Sequence, residues 1–96
     1  MKILAVVTLK PDASLSAVRA QLVDELRGSW ALYSSGLLRE VYATESPTRV
    51  VFILETADAG AAADSLNRLP LVAAGMFHVE TMELRPFVNW AALFAP

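Results

Sequence analysis

Residues 69–84 read LPLVAAGMFHVETMEL, and the fold turns on how this stretch is divided. Pro70 has no backbone N–H to donate, so a helix arriving from Ala59 must stop near Leu69. Gly75 permits a backbone angle that a Cβ would resist, so the apolar run before it reads as a tight loop. From Met76 the residues alternate at the period of a strand. Met76, His78, Glu80, Met82 and Leu84 share one face; Phe77, Val79, Thr81, Glu83 and Arg85 share the other. The first face joins the chain's single histidine and a glutamate to two methionines and a leucine. That mixture reads as the wall of a partly polar cavity.

Upstream, the second helix starts at Thr56 or Asp58, either of which can cap it. Its apolar face is Ala59, Ala62, Ala63, Leu66 and Leu69, and the alanines let it lie close to a sheet. Two apolar runs precede it, Leu37 to Thr44 and Arg49 to Thr56, separated by the turn residues Glu45-Ser46-Pro47-Thr48. So short a connection predicts an antiparallel hairpin. In the first of these strands Leu38, Glu40 and Tyr42 are expected on one face, and Leu37, Arg39, Val41 and Ala43 on the other.

The chain opens with MKILAVVTLK, a short branched run closed by Lys10-Pro11-Asp12. It lacks a small-x-small cleavage site and reads as a central strand, not a leader. Ser14, or alternatively Asp12, caps the helix that follows. Leu15, Val18, Leu22, Leu26, Trp30 and Tyr33 recur at three- and four-residue steps and predict a core-facing stripe about five turns long. Gly28 weakens that helix by roughly 1 kcal/mol relative to Ala. Gly36 fits the position after the helix end.

The order is strand, helix, strand, strand, helix, strand. This is the split βαβ pattern of an α+β, ferredoxin-like domain spanning residues 1–96. Right-handed crossovers place both helices on one face of a four-stranded antiparallel sheet. The opposite face has no helix to cover it. If roughly 500 Å² of that face is apolar, burying it yields on the order of 12 kcal/mol before association entropy. A second copy, sheet against sheet, is the expected remedy.

Composition sets further bounds. The 96 residues are 55 % hydrophobic and 19 % charged, apolar for so small a domain. A net charge of −2 argues against a nucleic-acid partner. The chain has no cysteine and one histidine, so no thiolate chemistry and no dedicated metal site are expected. No run is long enough for a membrane span, and a cytoplasmic location is the expectation. The closing segment, residues 86–96, PFVNWAALFAP, is too apolar for a loose tail. One helical turn is predicted at Asn89 to Phe94. The segment should pack on its own sheet edge or at an interface with a neighbouring subunit, in a dimer or larger ring.

These features together resemble the muconolactone isomerase-like group of the dimeric α+β barrel superfamily. Gly36 followed by Leu38-Arg39-Glu40-Val41-Tyr42 is similar to that group's glycine and aromatic-Arg-polar-apolar-aromatic strand, with Leu38 in place of the first aromatic. The strand Val50 to Glu55, the step Leu69-Pro70-Leu71 and the strand Val79 to Leu84 look alike as well. The resemblance implies a homodimer whose sheets close into a barrel around a small-molecule cavity. It also implies proton transfer on a lactone without a cofactor.

If the cavity lies against the helix-free face, strand parity puts His78, Glu80 and Met82 in it from the fourth strand. Leu38, Glu40 and Tyr42 would enter it from the second. An imidazole, two carboxylates and a phenol in an apolar pocket can move a proton beside a carbonyl. His78 or Glu80 is then the catalytic base, and Glu40, Tyr42, Met82 and Leu38 bind the substrate. The competing reading makes Glu40 and Glu80 edge charges, solvated or paired with Arg39, Arg49 or Arg85. On that reading the protein is a non-catalytic barrel that binds a small molecule or serves as an assembly module.

Overall fold

The expected elements follow one another in order, with one addition. In the computed structural model, which describes residues 1–95, β1 spans Lys2–Leu9, α1 Leu15–Ser34, β2 Leu38–Glu45 and β3 Thr48–Glu55. Next come α2 at Ala59–Asn67, the four-residue α3 at Pro70–Ala73, β4 at Phe77–Leu84 and a 3-10 turn at Asn89–Leu93. The four strands form one antiparallel sheet in the order β2-β3-β1-β4. This is the ferredoxin-like arrangement, with β2 and β4 at the edges.

Local chemistry sets the boundaries. Ser14 Oγ accepts from Ala17 N–H at 3.3 Å and caps α1. Asp58 Oδ1 accepts from Ala61 N–H at 2.7 Å and caps α2, while Thr56 donates its hydroxyl to the Asp58 carbonyl. Pro70 ends the path of α2 and then starts α3 as its first residue, where a missing N–H costs nothing. The expected loop is therefore a helical turn. Gly36 at φ +85° and Gly75 at φ +75° reverse the chain into β2 and β4, angles that strain other residues.

The core lies between the sheet and α2–α3. Ile3, Ala5 and Val7 of β1, Phe52 and Leu54 of β3, and Ala62, Leu66, Leu69 and Leu71 are all buried. Alternation then sends Leu4, Val6 and Thr8 to the helix-free face.

Two expectations need correction. First, Leu38 does not join Glu40 and Tyr42. The pairing shifts between Leu38 and Glu40, a bulge at Arg39, so Leu38 pairs with Leu54 and is 1 % exposed in the core. One extra residue reverses the parity, and the predicted substrate-binding Leu38 is a core residue.

Second, the α1 stripe is not buried. Leu15, Leu22, Leu26, Trp30 and Tyr33 are 41–66 % exposed. The packed side of α1 carries Val18, Gln21, Glu25, Gly28, Ser29 and Leu32 instead. At about 100° per residue, the apolar stripe lies roughly 90° around the helix from that side. The cause is close approach: a Cβ on Gly28 would sit 2.9 Å from Leu69 Cδ2. A small residue makes this close contact with the rest of the fold, and most of the large ones stay open to solvent.

Of the two places expected for the closing segment, its own sheet edge or a neighbouring subunit, it does not take the first within one chain. Its helical turn forms, and Phe87 meets Trp90 edge-on at 5.3 Å. Yet Phe87, Val88, Trp90, Leu93 and Phe94 are 64–85 % exposed. Pro96 lies outside the described residues. The chain measures 61 × 30 × 19 Å, with a radius of gyration of 15.8 Å against about 12–13 Å for a compact chain of this length.

Candidate functional site

Two places on the fold gather chemistry-bearing side chains, one on each side of the sheet. On the helix-free side, His78 pairs across β1 with Thr8, Glu80 with Val6, and Met82 with Leu4. The strand parity of the sequence is thus preserved. His78 and Glu80 share a shallow groove with Val6, Thr8, Lys10 and Arg49. Lys10 and Arg49 were not predicted for the site, and they make it cationic beside the imidazole. Arg49 was legible as a residue of the same parity as Val51 and Ile53, and as one of the arginines offered as partners to Glu40 and Glu80.

Glu40 and Tyr42 lie on that same face but at the opposite edge. Three inter-strand steps of about 4.8 Å separate β2 from β4, roughly 14 Å. Within one chain the two predicted pairs therefore do not converge. Tyr42 donates its hydroxyl to Glu40 Oε1 at 2.6 Å. That bond and the carboxylate's charge push the phenol's pKa up, so it stays protonated to higher pH than a free tyrosine. Met82 is 44 % exposed and belongs to the open sheet face.

The second place was not foreseen. A cavity of about 370 Å³ lies between α1 and the sheet. Leu22, Glu25, Leu26 and Ser29 of α1 form one wall, and Val7, Val41, Val50, Phe52 and Phe77 of the strands form the other, with Tyr42 of β2 at its margin. Most groups there are apolar, and Glu25 is the one carboxylate. Glu25 is 8 % exposed. Leu71 N–H donates to its Oε1 at 2.7 Å, the contact that ties α1 to α3. Burial pushes its pKa above the ordinary carboxylate value, outweighing the Leu71 bond, which lowers it. A carboxyl with raised pKa in an apolar cavity is suited to taking up and returning a proton.

The sequence carried a faint signal of this site. Glu25 shares its helix face with Gly28 and Ser29, and small residues beside a charge on one face mark a close approach. The longer apolar stripe one quarter-turn away outweighed it. Among the described residues, no cluster of His, Asp and Glu side chains could hold a metal ion. Among them too, no helix is long and apolar enough to cross a membrane.

The chain matches no protein-family model and no curated protein sequence. Among solved structures, it is similar to muconolactone isomerase, with TM-score 0.73, 19 % identity, and 90 % of each chain covered. It is also similar to 5-chloro-2-hydroxyhydroquinone dehydrochlorinase from Burkholderia phenoliruptrix AC1100, solved with 2,5-dihydroxybenzoquinone. There the TM-score is 0.71 and the identity 15 %, over 93 % of this chain and 98 % of that one. The fold is muconolactone isomerase-like, over nearly the whole chain.

Proposed function

We propose that this chain is a cofactor-independent, muconolactone isomerase-like enzyme that moves a proton on a small lactone or related acidic metabolite, with Glu25 carrying the proton. The observation that supports this reading is a buried carboxylate with raised pKa in the apolar cavity beneath α1. As carboxylate, Glu25 removes a proton from the carbon beside the lactone carbonyl, and the electron pair shifts onto the carbonyl oxygen. As carboxylic acid, it returns that proton further along the conjugated system. Raising the pKa of Glu25 brings it nearer to that of the carbon acid, which favours the first step. An apolar cavity of about 150 Å³ already holds a benzene ring, so the larger space here admits a small ring compound. The 2,5-dihydroxybenzoquinone bound by one enzyme of this fold is such a ring.

A second reading keeps the chemistry on the helix-free face. The juxtaposition of His78 and Glu80 with Lys10 and Arg49 supports it. In that case His78 or Glu80 is the base and the two cations hold an acidic substrate. Glu40 and Tyr42 would join the site only from a second copy, since they stand at the other edge. The same bare face supports a sheet-to-sheet homodimer.

Isomerisation assays on Glu25→Gln, His78→Gln and Glu80→Gln separate the two. On the Glu25 reading, Glu25→Gln lowers kcat by about 10²–10⁴-fold. The other two variants stay within a few-fold of the parent. A loss confined to His78→Gln or Glu80→Gln moves the chemistry to the groove. No turnover by the parent chain, with a small molecule retained through purification, would favour a binding barrel.

A further inference from the structure

The cavity beneath α1 does not end at Glu25. Leu26, Ser29, Val41 and Tyr42 line it, and they also line an open groove of about 520 Å³ beside it. Two rulers give the offset between the two spaces. On α1 the cavity wall runs over residues 22–29 and the groove wall over 26–33, a shift of four residues or about 6 Å. On β2 the cavity wall covers residues 41–43 and the groove wall 38–42, a shift of two residues or roughly 7 Å between their middles. Both shifts run toward the turn at Gly36. We propose that Arg39 selects an acidic ligand: its guanidinium holds a carboxylate in the groove while the ring that bears it enters the cavity toward Glu25. The binding stands on the groove, whereas its bearing on turnover rests on the Glu25 reading above.

The guanidinium is held and still free to bind. Arg39 is the extra residue of the β2 bulge, and its Nε–H donates to the Gly36 carbonyl. Gly36 is itself fixed at φ +85°. Among the described residues, neither terminal nitrogen of Arg39 has a hydrogen-bond or ion-pair partner. A planar fork anchored at one nitrogen matches the two oxygens of a carboxylate. Among those residues too, Arg39 is the one cationic side chain that lines the groove.

The other groups of the groove narrow the ligand class. Glu40 adjoins Arg39 but takes the Tyr42 hydroxyl at 2.6 Å and forms no ion pair with it. Its charge repels a ligand in proportion to the ligand's own charge, which favours a single carboxylate over a phosphate or a dianion. Trp30 and Tyr33, stacked at 5.5 Å, form the α1 wall of the groove. Their faces suit a flat apolar ligand and border the guanidinium with low-dielectric surface, where an Arg–carboxylate pair is stronger than in open water. An offset of about 6–7 Å is spanned by a five- or six-membered ring with a short carboxylate arm.

Phenylacetate and its neutral counterpart phenylacetamide are the probes, titrated into the full chain at pH 7 by calorimetry. The parent should bind phenylacetate about tenfold tighter than phenylacetamide. Arg39→Gln should bind the two alike. Arg39→Lys, which keeps the charge without the fork, should recover part of the preference. Arg39 is exposed, so both variants should fold as the parent does. Equal binding of the two probes by the parent, or no saturable binding of phenylacetate at millimolar concentration, overturns the proposal. So does a preference that survives in Arg39→Gln and disappears in Arg49→Gln, which would place the acid on the helix-free face. If Glu25→Gln retains full isomerisation activity while Arg39→Gln loses the preference, the Glu25 reading fails and the acid-binding role of Arg39 stands.

Discussion

Glu25 has a structural task as well as a chemical one, and the two can be weighed separately by comparing Glu25→Ala with Glu25→Gln. The N-cap of α3 is Leu69, which offers no side-chain acceptor. The bond from Leu71 N–H is therefore supplied by a residue 46 positions earlier. Leu71 is 0 % exposed, so its N–H has no access to water if that acceptor is lost. An unsatisfied buried donor costs about 1–3 kcal/mol. The one methylene removed with the carboxyl adds about 0.8 kcal/mol. Gln keeps an oxygen at the same reach, and both variants have lost the charge. Glu25→Ala should therefore be about 2–4 kcal/mol less stable than Glu25→Gln. The pH dependence follows from the raised pKa of Glu25 relative to its ordinary 4.5. The native state holds the proton to higher pH than the unfolded chain does. The contribution of Glu25 to stability is then fully present below pH 4.5 and is lost as pH rises through the folded pKa, where the charge must be buried. Glu25→Gln lacks this slope and should match or exceed the parent at pH 7. Urea unfolding from pH 4.5 to 8 at one fixed chain concentration measures both effects. Equal stability of the two variants would remove the α1–α3 tie. A parent-minus-Gln difference that does not change with pH would remove the buried carboxylate.

Other outcomes follow from particular contacts. Leu38→Ala should cost about 2–5 kcal/mol, as a fully buried side chain, whereas Met82→Ala on the open face should stay within about 0.5 kcal/mol. Thermal unfolding of the two tests the bulge at Arg39 that separates their environments. Asp58→Ala removes the acceptor for Ala61 N–H and should cost about 1 kcal/mol, with Asp58→Asn restoring most of it. Tyr42→Phe removes the hydrogen bond to Glu40 at an exposed edge and should change stability by less than about 0.5 kcal/mol. In the parent, absorbance titration should show one tyrosine ionising at higher pH than free tyrosine, and in Tyr42→Phe that step should disappear.

Element order was legible because it depends on short-range signals. Ser14, Asp58, Pro70, Gly36 and Gly75 each act through their own backbone geometry, and each sits where the reading put it. The face of β4 was legible for the same reason, since alternation without interruption carries His78, Glu80 and Met82 together. Leu38 was lost because a bulge has no residue signature strong enough to announce a change of parity. The α1 stripe was misread for a physical reason. Periodicity shows which residues share a helix face but not what meets that face. Here Gly28 and Ser29 let α1 sit close to Leu69 and Pro70, and that contact turns the large side chains outward. Glu25, off the stripe, drew no role from the sequence. A lone carboxylate on a helix is ordinarily solvated, and only the tertiary contact with Leu71 reveals it as buried.

The misread stripe bears directly on how this protein stays in solution. Six large apolar residues of α1, Leu15, Leu22, Val23, Leu26, Trp30 and Tyr33, are 41–66 % exposed. The helix-free face adds a second unpaired surface, with Leu4, Val6, Val51 and Ile53 only half-buried. These two surfaces lie on opposite sides of the sheet, so a sheet-to-sheet partner cannot cover both with its sheet alone. A sheet-to-sheet pair uses the first twofold axis and leaves every α1 stripe exposed. If a second contact forms at α1 about a different axis, the assembly must grow beyond a dimer until its symmetry closes. If instead the closing segments of the same pair reach round to cover α1, two copies suffice. Phe94, nine residues beyond Arg85 and at most about 32 Å from it, sets that limit: a partner's Leu26 must come within this span in the sheet-to-sheet pair. The mass of the particle in solution therefore tells whether the segment bridges within the barrel pair or between pairs. A dimer requires the first, and a closed ring of dimers the second.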